Sequence, residues 1–257
     1  MESLRQALLA DPYFRDIPSF KPERKKTAQV FHAKDDLPEV RYLVFKLLLA
    51  QKVRFYGAVR DKREAALHES RLRESDPTYR YRPNEMYDAL VGRLFGPRWS
   101  RADHFDICFS KRGKSDRTAA LWRTLRNAAI EFERNRALNN LAAGETSSDS
   151  AAGDEGTGPP QRFRVVRVEI SHSSPVGSGG LQAVDYFLWA LQRFYEYEGT
   201  GKRDSECRYV EMIHELTGEI DDLDFVLDGK RGVVWGQHRP LTVAARLSIG
   251  AKKKRRI

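Results

Sequence analysis

A single carboxylate on an apolar helix face is the feature of this sequence that most suggests chemistry. Residues 181–196 are predicted to form a helix, and its apolar side chains recur at 3.6-residue spacing. They form one stripe: Leu181, Val184, Leu188, Leu191 and Tyr195. Asp185 falls inside this stripe, with Gln182 one turn before it. A carboxylate in such a position is costly unless it is paired, hydrogen-bonded or bound to metal. Asp185 therefore either accepts hydrogen bonds from a neighbouring backbone or basic group within the protein, or it serves a functional site.

Further acidic residues stand at the ends of predicted elements. Residues 54–61 alternate in the manner of a strand, which places Asp61 at its carboxyl end. A helix is predicted from Glu39 to about Gln51, with Pro38 in its first turn and Asp36 as its N-cap. The Gly/Ser-rich turn over 172–180 precedes the helix that carries Asp185.

The remaining pattern predicts the fold class. Strands and helices alternate along the chain, which favours an α/β fold. The other predicted elements are a helix over 84–95, a strand over 104–110, a helix over 116–141 and a strand over 162–171.

Domain organisation is predicted from shifts in composition. The segment 142–161 is acidic and has no large apolar residue, so we interpret it as a disordered insertion within one domain over 1–257, with a domain linker as the alternative. Residues 204–247 are interpreted as a C-terminal extension, with Trp235 closing a small subdomain. Residues 251–257 form a basic tail.

The charge balance favours a polyanionic partner. The chain has a formal net charge of +9, and such a balance favours contact with phosphate backbones. The turn after the 104–110 strand contains four basic residues that could bind a phosphate backbone: Lys111, Arg112, Lys114 and Arg117. This turn contains Gly-Lys-Ser but lacks the earlier glycine of a nucleotide-binding P-loop. A solvated loop that caps the following helix is the alternative interpretation.

The sequence also predicts where in the cell the protein is located. No stretch approaches the roughly 20 consecutive apolar residues of a membrane-spanning helix, so no membrane association is predicted. The first residues lack the pattern of a secretory signal, and the two cysteines show no disulfide or zinc spacing. A cytoplasmic location is the resulting expectation.

Several of these segments resemble one bacterial protein family. The helix beginning Leu181-Gln182-Ala183-Val184-Asp185 resembles the C-terminal signature of the family catalogued as domain of unknown function 3800. The segment Phe31-His32-Ala33-Lys34-Asp35-Asp36, the strand ending Val59-Arg60-Asp61-Lys62 and the order of elements are similar too. The resemblance covers roughly residues 29–197, interrupted by the acidic insertion.

The resemblance implies a fold and an activity. It implies an RNase H-like mixed sheet flanked by helices, acting as a metal-dependent nuclease on nucleic-acid phosphodiesters. Asp61 and Asp185 would be metal ligands, with Asp36 or Glu39 as a third acidic residue, and His32 would orient a water or a substrate phosphate. Gln182 would contact nucleic acid. The implied ion is Mg²⁺ or Mn²⁺, which are hard cations held by oxygen ligands.

One departure from the family pattern leaves two explanations open, a clipped start or a degenerate member. Family members usually open with a strand bearing Asp-Glu-Ser-Gly, and this chain has no such motif. We expect the fold to lack its first strands, either because the start is clipped, which we favour, or because the member is degenerate. The alternative function is a non-catalytic module that binds nucleic acid or protein.

Overall fold

The structure is a computed structural model that describes residues 1–24, 27–80, 82–111, 116–145, 166–196, 204–227, 230–242 and 244. The predicted mixture of helices and strands is confirmed. The helices in the described residues are α1 (Glu2–Ala10), α2 (Pro38–Leu49), α3 (Lys62–Ser75), α4 (Pro83–Phe95), α5 (Thr118–Glu145), α6 (Gly179–Tyr195) and α7 (Arg208–Met212). The strands are β1 (Phe55–Val59), β2 (His104–Ser110), β3 (Arg167–Ser173), β4 (Thr217–Leu227) and β5 (Lys230–Gly236).

The chain divides into two compact units. Unit 1 contains residues 1–61, 109–111 and 172–257, and unit 2 contains residues 62–108 and 112–171. Within the described ranges, no helix combines the length and the apolar character needed to cross a membrane.

Unit 1 is built on a three-stranded mixed sheet in the order β1-β4-β5. β1 pairs with β4 in parallel, with Val59 opposite Asp222, and β4 pairs with β5 antiparallel. The segment 204–247, predicted as a C-terminal extension, contains β4 and so supplies the central strand of this sheet. A Cβ on Gly236 would lie 2.7 Å from the carbonyl oxygen of Gly218, so only glycine fits at that point of the β4–β5 pairing.

Helix α6 is buried on two sides, which explains its long run of large side chains. On one side Phe187 stacks on Phe55 of β1, with ring centroids 4.6 Å apart, and Phe194 contacts Trp235 of β5. On another side Tyr186 packs edge-on against Phe45 of α2. Trp235 thus belongs to the same core as α6, not to a separate subdomain.

Because α6 packs on two sides, the predicted apolar stripe is not its buried face, and that prediction is wrong in part. Leu191 is buried as expected, but Val184 and Leu188 are 45% and 53% exposed. The buried residues of α6 include Gln182, Tyr186, Phe187 and Trp189 instead. Asp185 therefore lies at the border between a buried face and an exposed one.

Unit 2 contains α3, α4 and α5, together with most of the parallel pair of strands β2 and β3. α4 and α5 are joined by Arg117, which binds both carboxylate oxygens of Asp88 at 2.6 and 2.8 Å. The first four residues of the predicted insertion, 142–145, continue α5, which corrects that boundary. Residues 146–161 and the basic tail over 251–257 lie outside the described residues.

Candidate functional site

The start of α6 is fixed by a tight turn. Gly177 adopts a φ of +83°, in the left-handed region that favours glycine. The next residue, Ser178, is the N-cap, and its hydroxyl accepts a hydrogen bond from the backbone N–H of Leu181. The turn sets the direction in which the first polar side chains of α6 project.

Gln182 and Asp185 hold a buried chain segment that precedes α2. The Gln182 Oε1 accepts from the backbone N–H of Phe31 at 3.3 Å, and the Asp185 Oδ2 accepts from the backbone N–H of Ala33 at 2.9 Å. Phe31 and Ala33 are almost completely buried, so their N–H groups need partners inside the protein. The predicted nucleic-acid contact of Gln182 is therefore not favoured, because its amide also donates to the carbonyl of Pro175 and it is buried.

Asp36 is buried beneath this segment and is fully hydrogen-bonded. Its Oδ1 accepts from the Thr27 hydroxyl at 2.6 Å, and its Oδ2 accepts from the Tyr186 hydroxyl at 2.5 Å and the His32 N–H at 2.8 Å. Burial raises the pKa of the Asp36 carboxyl above its usual range, and the three hydrogen bonds oppose that rise. The predicted N-cap role is wrong, because Leu37 is the N-cap of α2 and the Asp36 carboxylate turns back toward His32.

His32 and Asp185 form the solvent-facing part of the site. The His32 Nε2 lies 3.7 Å from the Asp185 Oδ1, and the two side chains are 50% and 36% exposed. The other oxygen of Asp185 is fixed by Ala33, so one carboxylate oxygen has a defined position beside an imidazole. A carboxylate beside an imidazole can orient the ring for proton transfer.

Asp61 lies at the carboxyl end of β1, as predicted, but its observed neighbour is β4. Its backbone N–H donates to the Asp224 Oδ2 at 2.8 Å, and the Arg60 Nε lies 3.8 Å from the same oxygen. The neighbouring Asp222 is buried and accepts from the Tyr195 hydroxyl at 2.5 Å. Asp61, Asp222 and Asp224 thus form a separate acidic group where β1 ends beside β4.

The predicted three-carboxylate metal site stays a prediction. The Asp36 carboxylate already accepts hydrogen bonds from two buried hydroxyls and one part-buried backbone N–H, and Glu39 is exposed in the first turn of α2. In the part of the chain that the structure describes, no group of three or more acidic, histidine or cysteine residues could hold a metal ion. Asp185 fits a different arrangement, in which one carboxylate and substrate phosphates hold the ion.

The predicted phosphate-binding turn is only partly described. Arg112 and Lys114 lie outside the described residues. Lys111 follows β2, and its backbone N–H donates to the carbonyl of Ser173. Arg117 is paired with Asp88 and also lies over the ring of Tyr87, so its side chain is engaged in joining two helices.

The buried Asp222 leads to a prediction about pH. Burial raises the pKa of its carboxyl above the ordinary value of 3.8, so its favourable contribution is complete below that value and is lost as the pH rises through the folded-state pKa. Asp222→Asn does not titrate and can keep the contacts of Oδ1 with the N–H groups of Asp224 and Phe225. Relative to wild type, we expect the variant to gain stability as the pH rises from 3.8 through the raised folded-state pKa of Asp222. Urea unfolding at several pH values measures this, and a gain toward low pH would contradict it.

Three hydrogen-bonding residues of the site were not predicted. Thr27, Tyr186 and Tyr195 each donate a hydroxyl to a buried carboxylate. Tyr186 follows Asp185 directly and lies one turn after Gln182, so its position on the same helix was the available signal.

The comparisons with known proteins add no relatives. Comparison with protein-family models, with curated proteins and with solved structures gave no match to this chain. The resemblance to the domain of unknown function 3800 family therefore remains a prediction.

Proposed function

We propose that the protein hydrolyses nucleic-acid phosphodiesters and that its reactive centre lies at Asp185 and His32. We also propose that it has an RNase H-like architecture, as in the domain of unknown function 3800 family. The observation that supports this reactive centre is the defined, partly exposed carboxylate oxygen of Asp185 beside the His32 imidazole. The basic composition of the chain supports a nucleic-acid substrate.

In the proposed reaction, His32 accepts the proton of a water molecule whose oxygen attacks phosphorus. The bond from phosphorus to the leaving oxygen breaks, and that oxygen takes a proton from solvent. Asp185 stabilises the imidazolium that forms, and the 3.7 Å separation shortens to a hydrogen bond when substrate is in place. A Mg²⁺ or Mn²⁺ ion bound by Asp185 and substrate phosphate would supply neutralisation of the phosphate charge.

The test is a cleavage assay on labelled single- and double-stranded DNA and RNA, with Mg²⁺ or Mn²⁺ and with a chelator. Asp185→Asn can still accept from Ala33, so we expect the fold to persist while cleavage falls by about 100-fold or more. The matched control is Asp35→Asn, an exposed carboxylate of the same segment, which should retain activity. Cleavage that survives both chelation and Asp185→Asn would contradict the proposal.

A non-catalytic module that binds nucleic acid or protein is the second candidate function. The observation that favours it is that Asp36, Gln182 and Arg117 are all engaged in internal contacts. Salt-sensitive nucleic-acid binding by the wild-type protein, with no cleavage under any metal condition, would support this alternative.

A further inference from the structure

The exposed face of α5 in unit 2 carries apolar and basic side chains in alternation. At successive four-residue steps lie Trp122, Arg126, Ile130, Arg134 and Leu138, and the three apolar residues among them are 45%, 58% and 56% exposed. Residues four apart on a helix are neighbours on its surface, so these five residues form one continuous stripe, which we call the α5 stripe. At 1.5 Å per residue, it extends about 24 Å along the helix axis.

The α5 stripe is separate from the core of unit 2. The opposite face of α5 carries the buried side chains of Leu121 and Leu125, and α5 packs on α4. Apolar residues scattered singly over a surface are ordinary, whereas three large ones about half exposed at one regular spacing indicate a surface that binds a partner. The question is then which partner has matching chemistry.

The charge of this face favours an anionic partner. Over residues 118–135, the exposed charged side chains are three bases and one acid, namely Arg123, Arg126, Arg134 and Glu131. In the described part of the chain, neither Arg126 nor Arg134 is joined to a carboxylate by an ion pair. Their charges are therefore available to neutralise a polyanion.

Trp122 indicates that the partner offers flat apolar groups as well as negative charge. Of the four tryptophans of the chain, Trp99, Trp189 and Trp235 are buried and Trp122 is exposed. The guanidinium carbon of Arg126 lies over the Trp122 ring, 5.4 Å from its centroid. An exposed indole with a guanidinium beside it offers a stacking surface for a base and a cation for the adjoining phosphate.

We propose that the α5 stripe binds single-stranded nucleic acid. The apolar residues of the stripe contact bases and its two arginines bind phosphates, so its alternation matches that of bases and phosphates along a strand. The bases of a duplex are stacked on one another and cannot reach the indole. An anionic membrane fits less well, because helices that lie on a membrane carry their apolar and basic residues on separate faces. The choice of nucleic acid as the ligand class rests on the proposed function, whereas the stripe and its charge do not.

The test measures binding by the full chain with a chelator present. The probes are a labelled single-stranded DNA of mixed sequence, its duplex, an abasic strand of the same length and charge, and vesicles that contain phosphatidylserine. We expect the single strand to bind more tightly than the other three, because only it offers unpaired bases for stacking. Binding should also protect Trp122 from quenching by acrylamide, and the other three tryptophans are buried, so the change is assigned to this residue.

Matched variants separate the α5 stripe from general effects of charge and exposure. Trp122→Ala should weaken binding of the single strand about tenfold or more, and Trp122→Phe, which keeps an aromatic face, should weaken it less. Arg126→Ala and Arg134→Ala should each lower the slope of log affinity against log salt by about 1. Leu67→Ala and Arg71→Ala change exposed residues of α3, outside the stripe, and should leave binding unchanged. Circular dichroism of each variant verifies the helix content.

The outcomes distinguish this surface from the proposed hydrolysis. No binding of the single strand, equal binding of the abasic strand, tighter binding of the duplex or the vesicles, or indifference to Trp122→Ala would each overturn the α5 stripe proposal. If the variants weaken binding as expected but no strand is ever cleaved, the stripe stands and the hydrolysis fails. If strands are cleaved and Trp122→Ala changes neither their binding nor the KM, the hydrolysis stands and the stripe fails.

Discussion

Asp36→Ala is expected to lower the free energy of unfolding of unit 1 by about 3 kcal/mol or more. The substitution removes the acceptor for the Thr27 hydroxyl, the Tyr186 hydroxyl and the His32 N–H, in a place where the Asp36 side chain is only 2% exposed. Each buried donor left without a partner carries a desolvation cost. Chemical denaturation followed by Trp fluorescence measures the loss, because Trp189 lies in the same core.

Asp36→Asn separates the loss of the charge from the loss of the hydrogen bonds. Its amide oxygen can accept from His32 and Tyr186, and its amino group can donate to the Thr27 hydroxyl, which then acts as acceptor. We expect a loss of about 1 kcal/mol and, if the protein is active, little change in cleavage. Loss of cleavage in a well-folded Asp36→Asn protein would instead favour the predicted metal ligand, and equal stability of the two variants would contradict the hydrogen-bond account.

Phe45→Ala is expected to cost about 3–5 kcal/mol, as for other large-to-small changes of a fully buried aromatic side chain. Phe45 is completely buried in α2, stacks on Tyr209 of α7 at 4.8 Å and contacts Tyr186 of α6. Its removal leaves a cavity where three helices meet. The change in denaturation midpoint at constant slope measures this loss.

The control for Phe45→Ala lies on the same helix. Tyr42 is 46% exposed and lies below the ammonium group of Lys46, so Tyr42→Ala should cost less than about 1 kcal/mol. Alanine has a higher helix propensity than phenylalanine or tyrosine, so propensity cannot cause either loss. Similar losses for the two variants would therefore contradict the core-packing account of Phe45.

The sequence was sufficient to predict elements with one clear periodicity. α2, α4 and β1 were predicted within a few residues of their observed bounds. The helix that carries Asp185 was predicted as well, but its buried face was not. Periodicity identifies one apolar stripe, whereas α6 is packed on two sides, so Val184 and Leu188 are exposed although they fit the stripe.

The polar parts of the fold were harder to predict. α3 is highly charged and, in the described chain, buries only Ala65, so it gives little hydrophobic signal. β4 contains Asp221, Asp222 and Asp224, residue types that are depleted in strands. Asp222 is tolerated there because Tyr195, distant in sequence, donates to it, and no local pattern indicates that contact.

The candidate site was predicted in part. Asp185 and His32 were both selected, and the structure brings them together at 3.7 Å. Asp36 and Gln182 were selected as well, yet their side chains are occupied by internal donors and acceptors. Residue type and spacing identify polar groups in unusual places, but only the three-dimensional contacts show which of them remain available to a ligand.

The hydrogen bond from the backbone of Ala33 to Asp185 gives the protein a spectroscopic reporter of its own site. That N–H is protected from solvent by a side-chain carboxylate, not by a helix or a sheet ladder. Its hydrogen-exchange rate and its amide chemical shift therefore depend on the state of the Asp185 carboxylate. Anything that binds or protonates this carboxylate is recorded by one backbone amide, even when no reaction takes place.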